Sequence, residues 1–206
     1  VNLENVSLSK VVLGSNHACV ITIDGLVKCS GENSMGQLGN GTYDSSKYLT
    51  EFVNMNAGGL KFVDLALTKN STCAISSDNS VYCFGSNQSG ELGVLSSGGQ
   101  MTSTPQMIPG LKLESISAGL NHYCGMIKDA PVNSNKMVCW GDNSFGQTGS
   151  KESITKSPFE VQKSVNFVSA ALGQNTSCAV DQDNKAFCFG SNDSNVISKN
   201  KDPKVY

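Results

Sequence analysis

The chain has 206 residues, a net charge of −2, 38% hydrophobic and only 16% charged residues, and every one of its 15 basic residues is lysine. With no Arg, the usual bidentate reader of phosphate and guanine, a weakly acidic chain is a poor candidate for nucleic-acid binding. No apolar run approaches the roughly 18 residues of a membrane-spanning helix, and 21 glycines amid abundant Asn, Ser and Thr suit short strands joined by tight turns better than long helices.

The chain opens on Val1-Asn2-Leu3-Glu4, without an initiator Met or a signal-peptide pattern, so a removed leader or a longer upstream region is expected. The first repeat, approximately 6–60, has a short apolar strand at 11–14. Two strands carrying Cys19 and Cys29 follow around Ile23-Asp24-Gly25, then a Gly-rich turn at 31–39 and a last strand near Glu51-Phe52-Val53. The second repeat, 61–111, keeps this order: an apolar strand at 62–66, Cys73, the loop Ser77-Asp78-Asn79, Cys83, a Gly-rich turn at 85–93, and a strand opened by Pro105. The third, 112–164, has its strand at 113–119, then Cys124, Cys139, the turn at 141–149 and a strand opened by Pro158; five extra residues between its cysteines fall within 129–136. They are expected to lengthen the hairpin tip, leaving both cysteines on one face of the ladder. The fourth, 165–206, has its strand at 167–173, Cys178, the loop Gln182-Asp183-Asn184, Cys188 and Gly190-Ser191-Asn192, departs from the pattern at Asn195, and ends with Pro203-Lys204-Val205. The prolines are expected at strand starts or edges, where no ladder N–H is needed.

Each repeat thus reads as four short strands, or one blade, which buries both faces only by stacking on its neighbours. The fold expected is all-β: a propeller-type array of four four-stranded blades, an arc or a fragment of a larger ring of about seven, with a closed four-blade ring as the alternative. The hairpin register supports this. Centring each loop on Asp24, Asp78 and Asp183 places Gly25, Asn79 and Asn184 at the left-handed position of a three-residue hairpin, which Gly and Asn tolerate best. Counting back three rungs, Cys19 opposes Cys29, and likewise Cys73 with Cys83, Cys124 with Cys139, and Cys178 with Cys188. Opposed strand residues lie near bridging distance, and four such disulfides imply an oxidising compartment, either secreted or at the cell surface. Eight reduced core cysteines are the alternative. Zinc is disfavoured, because neither the cysteine spacing nor the two histidines match a ligand pattern.

Gly14-Ser15-Asn16-His17-Ala18-Cys19, Asp24-Gly25-Leu26-Val27-Lys28-Cys29 and Gly36-Gln37-Leu38-Gly39-Asn40-Gly41-Thr42, echoed by Gly119-Leu120-Asn121-His122 and Cys139-Trp140-Gly141-Asp142-Asn143, resemble the repeat of the regulator of chromosome condensation family. They resemble in particular its cysteine-paired secreted variant, over essentially the whole chain. The resemblance implies a β-propeller, commonly of seven blades, whereas only four repeats are present here. It also implies binding in place of catalysis. The founding member's role as a nucleotide-exchange factor for a small GTPase transfers poorly to a chain with disulfides and no Arg-rich tail.

No residue set points to catalysis, a cofactor or a metal. His17 and His122 share a repeat slot with Ser71 and Thr176, which marks a structural hydrogen-bonding position. Asp142-Asn143-Ser144-Phe145-Gly146 starts like a calcium loop but has Ser153 where a Glu is needed. Trp140 stands in the slot of Phe84 and Phe189 and is expected between blades. Asn5, Asn40, Asn70, Asn87, Asn175 and Asn192 open N-x-Ser/Thr sequons and are candidate glycosylation sites. Contact residues are expected where repeats differ: the third hairpin tip and the loops 40–49 and 94–104. The function expected is a non-catalytic extracellular interaction, adhesion or scaffold module, with a protein partner or self-assembly, no nucleic acid and no membrane insertion. A secreted enzyme inhibitor is the alternative, for which Tyr43, Tyr48 and Phe145 are the available tip aromatics, and an exchange factor ranks third.

Overall fold

The computed structural model describes residues 6–46, 53–55, 57–94, 101–128, 136–162, 164–192 and 204–205. In the first blade, β1 (Leu8–Leu13), β2 (His17–Thr22), β3 (Val27–Gly31) and β4 (Val53–Asn54) pair antiparallel in sequence order. The second blade contains β5 (Phe62–Leu67), β6 (Ser71–Ser76), β7 (Ser80–Ser86) and the first part of β8 (Met101–Ala118). The end of β8 opens the third blade, followed by β9 (His122–Ile127), β10 (Met137–Asp142) and β11 (Ile154–Glu160). The fourth blade is β12 (Phe167–Leu172), β13 (Thr176–Asp181), β14 (Ala186–Ser191) and β15 (Lys204–Val205).

The hairpins follow the register that the sequence demands. Gly25, Asn79 and Asn184 have φ of 79°, 68° and 62°, the left-handed conformation that closes a three-residue loop. The Thr22 N–H then donates to the Leu26 carbonyl at 2.9 Å. Because hydrogen-bonded and non-hydrogen-bonded pairs alternate along an antiparallel ladder, Cys19 and Cys29, three rungs away, form a closely spaced non-hydrogen-bonded pair. All four pairs are joined as disulfides, with Cα atoms 4.1 Å apart.

Two features differ from the expectation. Between the second and third repeats no turn intervenes, so the outer strand of one and the inner strand of the next run together as the 18-residue β8 in a seven-stranded sheet. Elsewhere a turn separates the repeats, as at Ala57–Leu60, where the Leu60 N–H bonds the Ala57 carbonyl. Pro105 and Pro158 do not open their strands. Both lie inside irregularities of the outer strand, between Thr102 and Gln106 opposite Gly85 and Cys83, and between Thr155 and Phe159 opposite Gly141 and Cys139. An edge-strand bulge leaves a residue outside the ladder, so the missing proline N–H costs nothing there.

The core consists of three layers between blades. Cys19, Ile21, Val27 and Cys29 on the forward face of the first blade pack on Phe62, Leu65, Ala74 and Phe84 on the rear face of the second. Cys73, Ile75, Val81 and Cys83 pack on Leu113, Ile116, Tyr123 and Trp140. Cys124, Met126, Met137 and Cys139 pack on Phe167, Ala179 and Phe189. Each of the first three disulfides thus faces the following blade, and β2 and β6 are buried along their whole length.

Candidate interaction face

The tempting polar residues serve this stacking. His17 Nε2 lies 2.9 Å from Thr72 Oγ1 in the next blade, and that hydroxyl donates to the Gln37 carbonyl at 2.9 Å. The hydroxyl hydrogen is thereby committed to the carbonyl, so the imidazole must donate from Nε2. His122, Ser177 and the Gln147 carbonyl repeat the relay at 2.9 and 2.7 Å. Burial pushes the two imidazoles down to about 4 and about 3, which keeps them neutral at physiological pH. Gly119 is tied to this arrangement, because a Cβ there would lie 2.1 Å from the His122 ring. At the middle interface the relay takes another form. Ser71 Oγ pairs with Tyr123 Oη at 2.8 Å, Tyr123 stacks on Trp140 with centroids 5.5 Å apart, and Trp140 Nε1 donates to the Glu91 carbonyl at 2.9 Å.

Glu91 is the exception in its slot. Gln37 and Gln147 occupy the equivalent positions, and each side-chain oxygen accepts the N–H two residues back, from Met35 and Phe145. Glu91 accepts the Ser89 N–H in the same way at 2.7 Å, but as a carboxyl that is 2% exposed. Burial, with Asp142 across the interface adding like charge, pushes its pKa up to about 7.

With the strand interiors committed to packing, the parts free to vary are the turns. The turn between the first two strands of every blade has a fixed Asn preceded by a different residue: Ser15-Asn16, Lys69-Asn70, Leu120-Asn121 and Gln174-Asn175. The Asn carbonyls at 16, 70, 121 and 175 accept the N–H groups of Glu32, Ser86, Asp142 and Ser191, at or just past the end of the third strand of their own blade. Neighbouring turns are also joined, Lys69 N–H to the Leu120 carbonyl at 2.8 Å and Leu120 N–H to the Gln174 carbonyl at 3.0 Å. The result is a row of four unlike side chains, of which Ser15, Leu120 and Gln174 also line a concavity of about 440 Å³ together with Leu13, Thr68 and Leu172. Sequence reasoning missed this face, although the residue just before the repeated Asn differs in all four copies.

The sequence-derived candidates fall elsewhere. The third hairpin tip at 129–135, Asn5 and Tyr48 lie outside the described residues, and the loops at 40–49 and 94–104 are described only at 40–46, 94 and 101–104. Tyr43 is exposed and Phe145 half-buried. Among the sequons, Asn70 and Asn175 sit half-exposed in the row of turns, Asn87 is likewise half-exposed, and Asn192, in the same slot as Asn87, is buried. The Asn87 oxygen accepts the Leu92 N–H at 3.0 Å, Asn192 is 3% exposed, and in the same slot Asn143 Nδ2 donates to the Ser150 carbonyl at 2.9 Å. The Asn40 oxygen accepts from Thr42 N–H at 3.1 Å.

Comparison with known proteins agrees with this architecture. The family described as the regulator of chromosome condensation (RCC1) repeat matches residues 8–37, 62–91 and 167–195, and a second model of the same description matches 78–126. The chain is 26% identical to the probable E3 ubiquitin-protein ligase HERC6 of Homo sapiens over 98% of its own length and 20% of that protein. It is 30% identical to the protein RCC2 homolog of Xenopus laevis over 71% of its own length and 28% of that relative, so it spans well under half of either. Among solved structures, Prp20p from Saccharomyces cerevisiae, described for its binding to Gsp1p and histones, superposes with a TM-score of 0.78 at 22% identity, covering 97% of this chain and 47% of that one. Its repeats, its blade stacking and these matches together establish that the chain belongs to the RCC1 repeat family and forms four blades of an RCC1-type β-propeller.

Proposed function

We propose that this chain is a non-catalytic protein-interaction segment of a disulfide-pinned, extracellular RCC1-type propeller, and that it meets its partner through the axial row of turns. The observation that carries this reading is the pairing of a fixed frame with a changing display. The Asn backbone bonds brace all four turns and turn-to-turn bonds join the last three, while Ser15, Lys69, Leu120 and Gln174 differ in charge, size and polarity. Binding residues are characteristically presented in this way, on turns held by a rigid scaffold. The extracellular setting is supported by four disulfides, three of them on residues no more than 1% exposed, because buried bridges persist where the surroundings are oxidising.

Site-specific photo-crosslinking tests the assignment. Probes placed at Lys69 and Leu120 are compared with probes at Asp24 and Asp78, on the hairpin tips at the opposite ends of the same strands, using proteins secreted by the source organism and, separately, its cytosolic proteins. Discrete adducts are expected at Lys69 and Leu120 with the secreted set, lost in a Lys69→Glu, Leu120→Asp variant that keeps its melting temperature. Adducts confined to the hairpin-tip probes, or formed only with cytosolic proteins, overturn the reading.

A further inference from the structure

Of the three interfaces between blades, the middle one is built differently at both its ends. At the hairpin-tip end, β8 crosses from the second blade to the third without a turn. The crossing is held on both sides, by the Leu113 N–H to the Asn79 carbonyl at 3.0 Å and by the Lys128 N–H to the Lys112 carbonyl at 3.0 Å. The other two interfaces lack this strap, since a turn separates β4 from β5 and β11 from β12. At the opposite, axial end the turn 86–93 reaches forward onto the third blade. A Cβ on Gly90 would meet Lys156 Cα of β11 at 3.0 Å, and one on Gly93 would meet Trp140 Nε1 at 3.1 Å. Leu92 is buried between the two blades, and Trp140 Nε1 donates to the Glu91 carbonyl at 2.9 Å. At the first interface the turn 32–39 makes the same reach, with Gly36 against Thr102 and Ser103 and Gly39 against Phe84.

The difference lies in the side chain seated under the turn. Gln37 and Gln147 are neutral, whereas Glu91 can ionise. Its Oε2 accepts the Ser89 N–H at 2.7 Å and its Oε1 the Ser86 hydroxyl at 3.5 Å. Both donors are neutral and belong to its own turn. From the third blade it faces Asp142 on β10 and the Tyr123 hydroxyl on β9. Lys156 on β11 packs its backbone on Gly90, but the residue is exposed and is not among the groups that shift Glu91. Asp142 is itself fixed in place, accepting from the Ser144 N–H at 3.0 Å and Gln147 Nε2 at 3.1 Å. An ionised Glu91 in the closed turn is therefore buried without a cation and beside a second carboxyl. Two responses relieve such a charge, keeping the proton or moving the group into water.

We propose that the turn 86–93 is a proton-dependent latch on an interface that β8 keeps strapped. With Glu91 neutral the turn stays seated on Trp140 and β11. With Glu91 ionised it opens far more often, the carboxylate reaches water, and β8 holds the two blades together at the other end. Acidification thus fastens this end of the interface, and a rise in pH loosens it locally. The latch works with or without a partner on the axial turns.

Hydrogen exchange followed by NMR under non-reducing conditions, corrected for the intrinsic pH dependence of exchange, is the test. The signals to follow are the Ser89, Leu92 and Gly93 amides and the indole N–H of Trp140, the sole tryptophan. With the Glu91 pKa pushed by burial from 4.5 to about 7, the opening that exposes them should become about tenfold more frequent per pH unit between those values. It should level off above pH 7, about 300-fold in all. At every pH these groups should exchange about tenfold or more faster than the amides of β6 and β9, the mark of a local opening. In Glu91→Gln, whose side chain fits as Gln37 and Gln147 do, their protection should be the same at pH 4.5 and pH 8. The proposal is overturned if the turn exchanges at the rate of β6 and β9, which would mean that pH acts on the whole fold. It is equally overturned if wild-type protection does not change with pH, or if Glu91→Gln keeps the change.

Discussion

Replacing Glu91 with Gln removes the most deeply buried carboxyl among the described residues. In the folded chain its pKa lies near 7 against an ordinary 4.5, so between those values the native state keeps a proton that the unfolded chain has lost. Raising the pH through that window therefore destabilises the fold. Each pH unit corresponds to about 1.4 kcal/mol, so the full cost above pH 7 comes to about 3 kcal/mol. Two groups face Glu91 with like charge or the potential for it, Asp142 and the Tyr123 hydroxyl, and no cation is among the groups that shift it. Gln fits the slot in the manner of Gln37 and Gln147 and carries no charge to bury. Urea unfolding of both proteins under non-reducing conditions, from pH 4 to 8.5, gives the difference in stability. Glu91→Gln should match the wild type near pH 4.5, gain about 1.4 kcal/mol per pH unit up to pH 7, and then hold a constant advantage. A difference that does not change with pH would refute the reasoning.

The two histidines should act in the opposite direction. Their folded pKa values, about 4 and about 3, lie below the ordinary 6.5, so their contribution is complete above pH 6.5 and is lost as the pH falls toward those values; His122→Gln should flatten the acid limb of the unfolding curve, as read by circular dichroism. Trp140→Phe should cost about 3 kcal/mol, from the lost ring volume and the orphaned Glu91 carbonyl, measured by thermal melting. Secreted from a eukaryotic host, the chain should carry sugar at Asn70 and Asn175 and none at Asn192, which is 3% exposed, as glycopeptide mass spectrometry would show.

Cysteine spacing and turn chemistry made the blades legible before any coordinates. The loop centres at Asp24, Asp78 and Asp183 fixed the register, and the shared slot of His17, Ser71, His122 and Thr176 marked a structural position. Three things could not be read that way. The union of two repeats in β8 depends on the absence of a turn between them, which strand patterning does not register. Pro105 and Pro158 announce an edge strand, but whether they start it or sit in its bulge is decided by pairing with the neighbouring strand. Glu91 looks like one more turn residue until the next blade buries it. The turn row was overlooked for a different reason: insertions draw attention, whereas a substitution within a turn changes no length.

Each repeat closes its own hairpin with a disulfide and stacks as one blade, which peptide mapping of the unreduced chain checks at the bond itself. Four linked peptides are expected, joining Cys19 to Cys29, Cys73 to Cys83, Cys124 to Cys139 and Cys178 to Cys188, and an intact mass that gains eight hydrogens on full reduction. Free thiols, or links between different repeats, would contradict it.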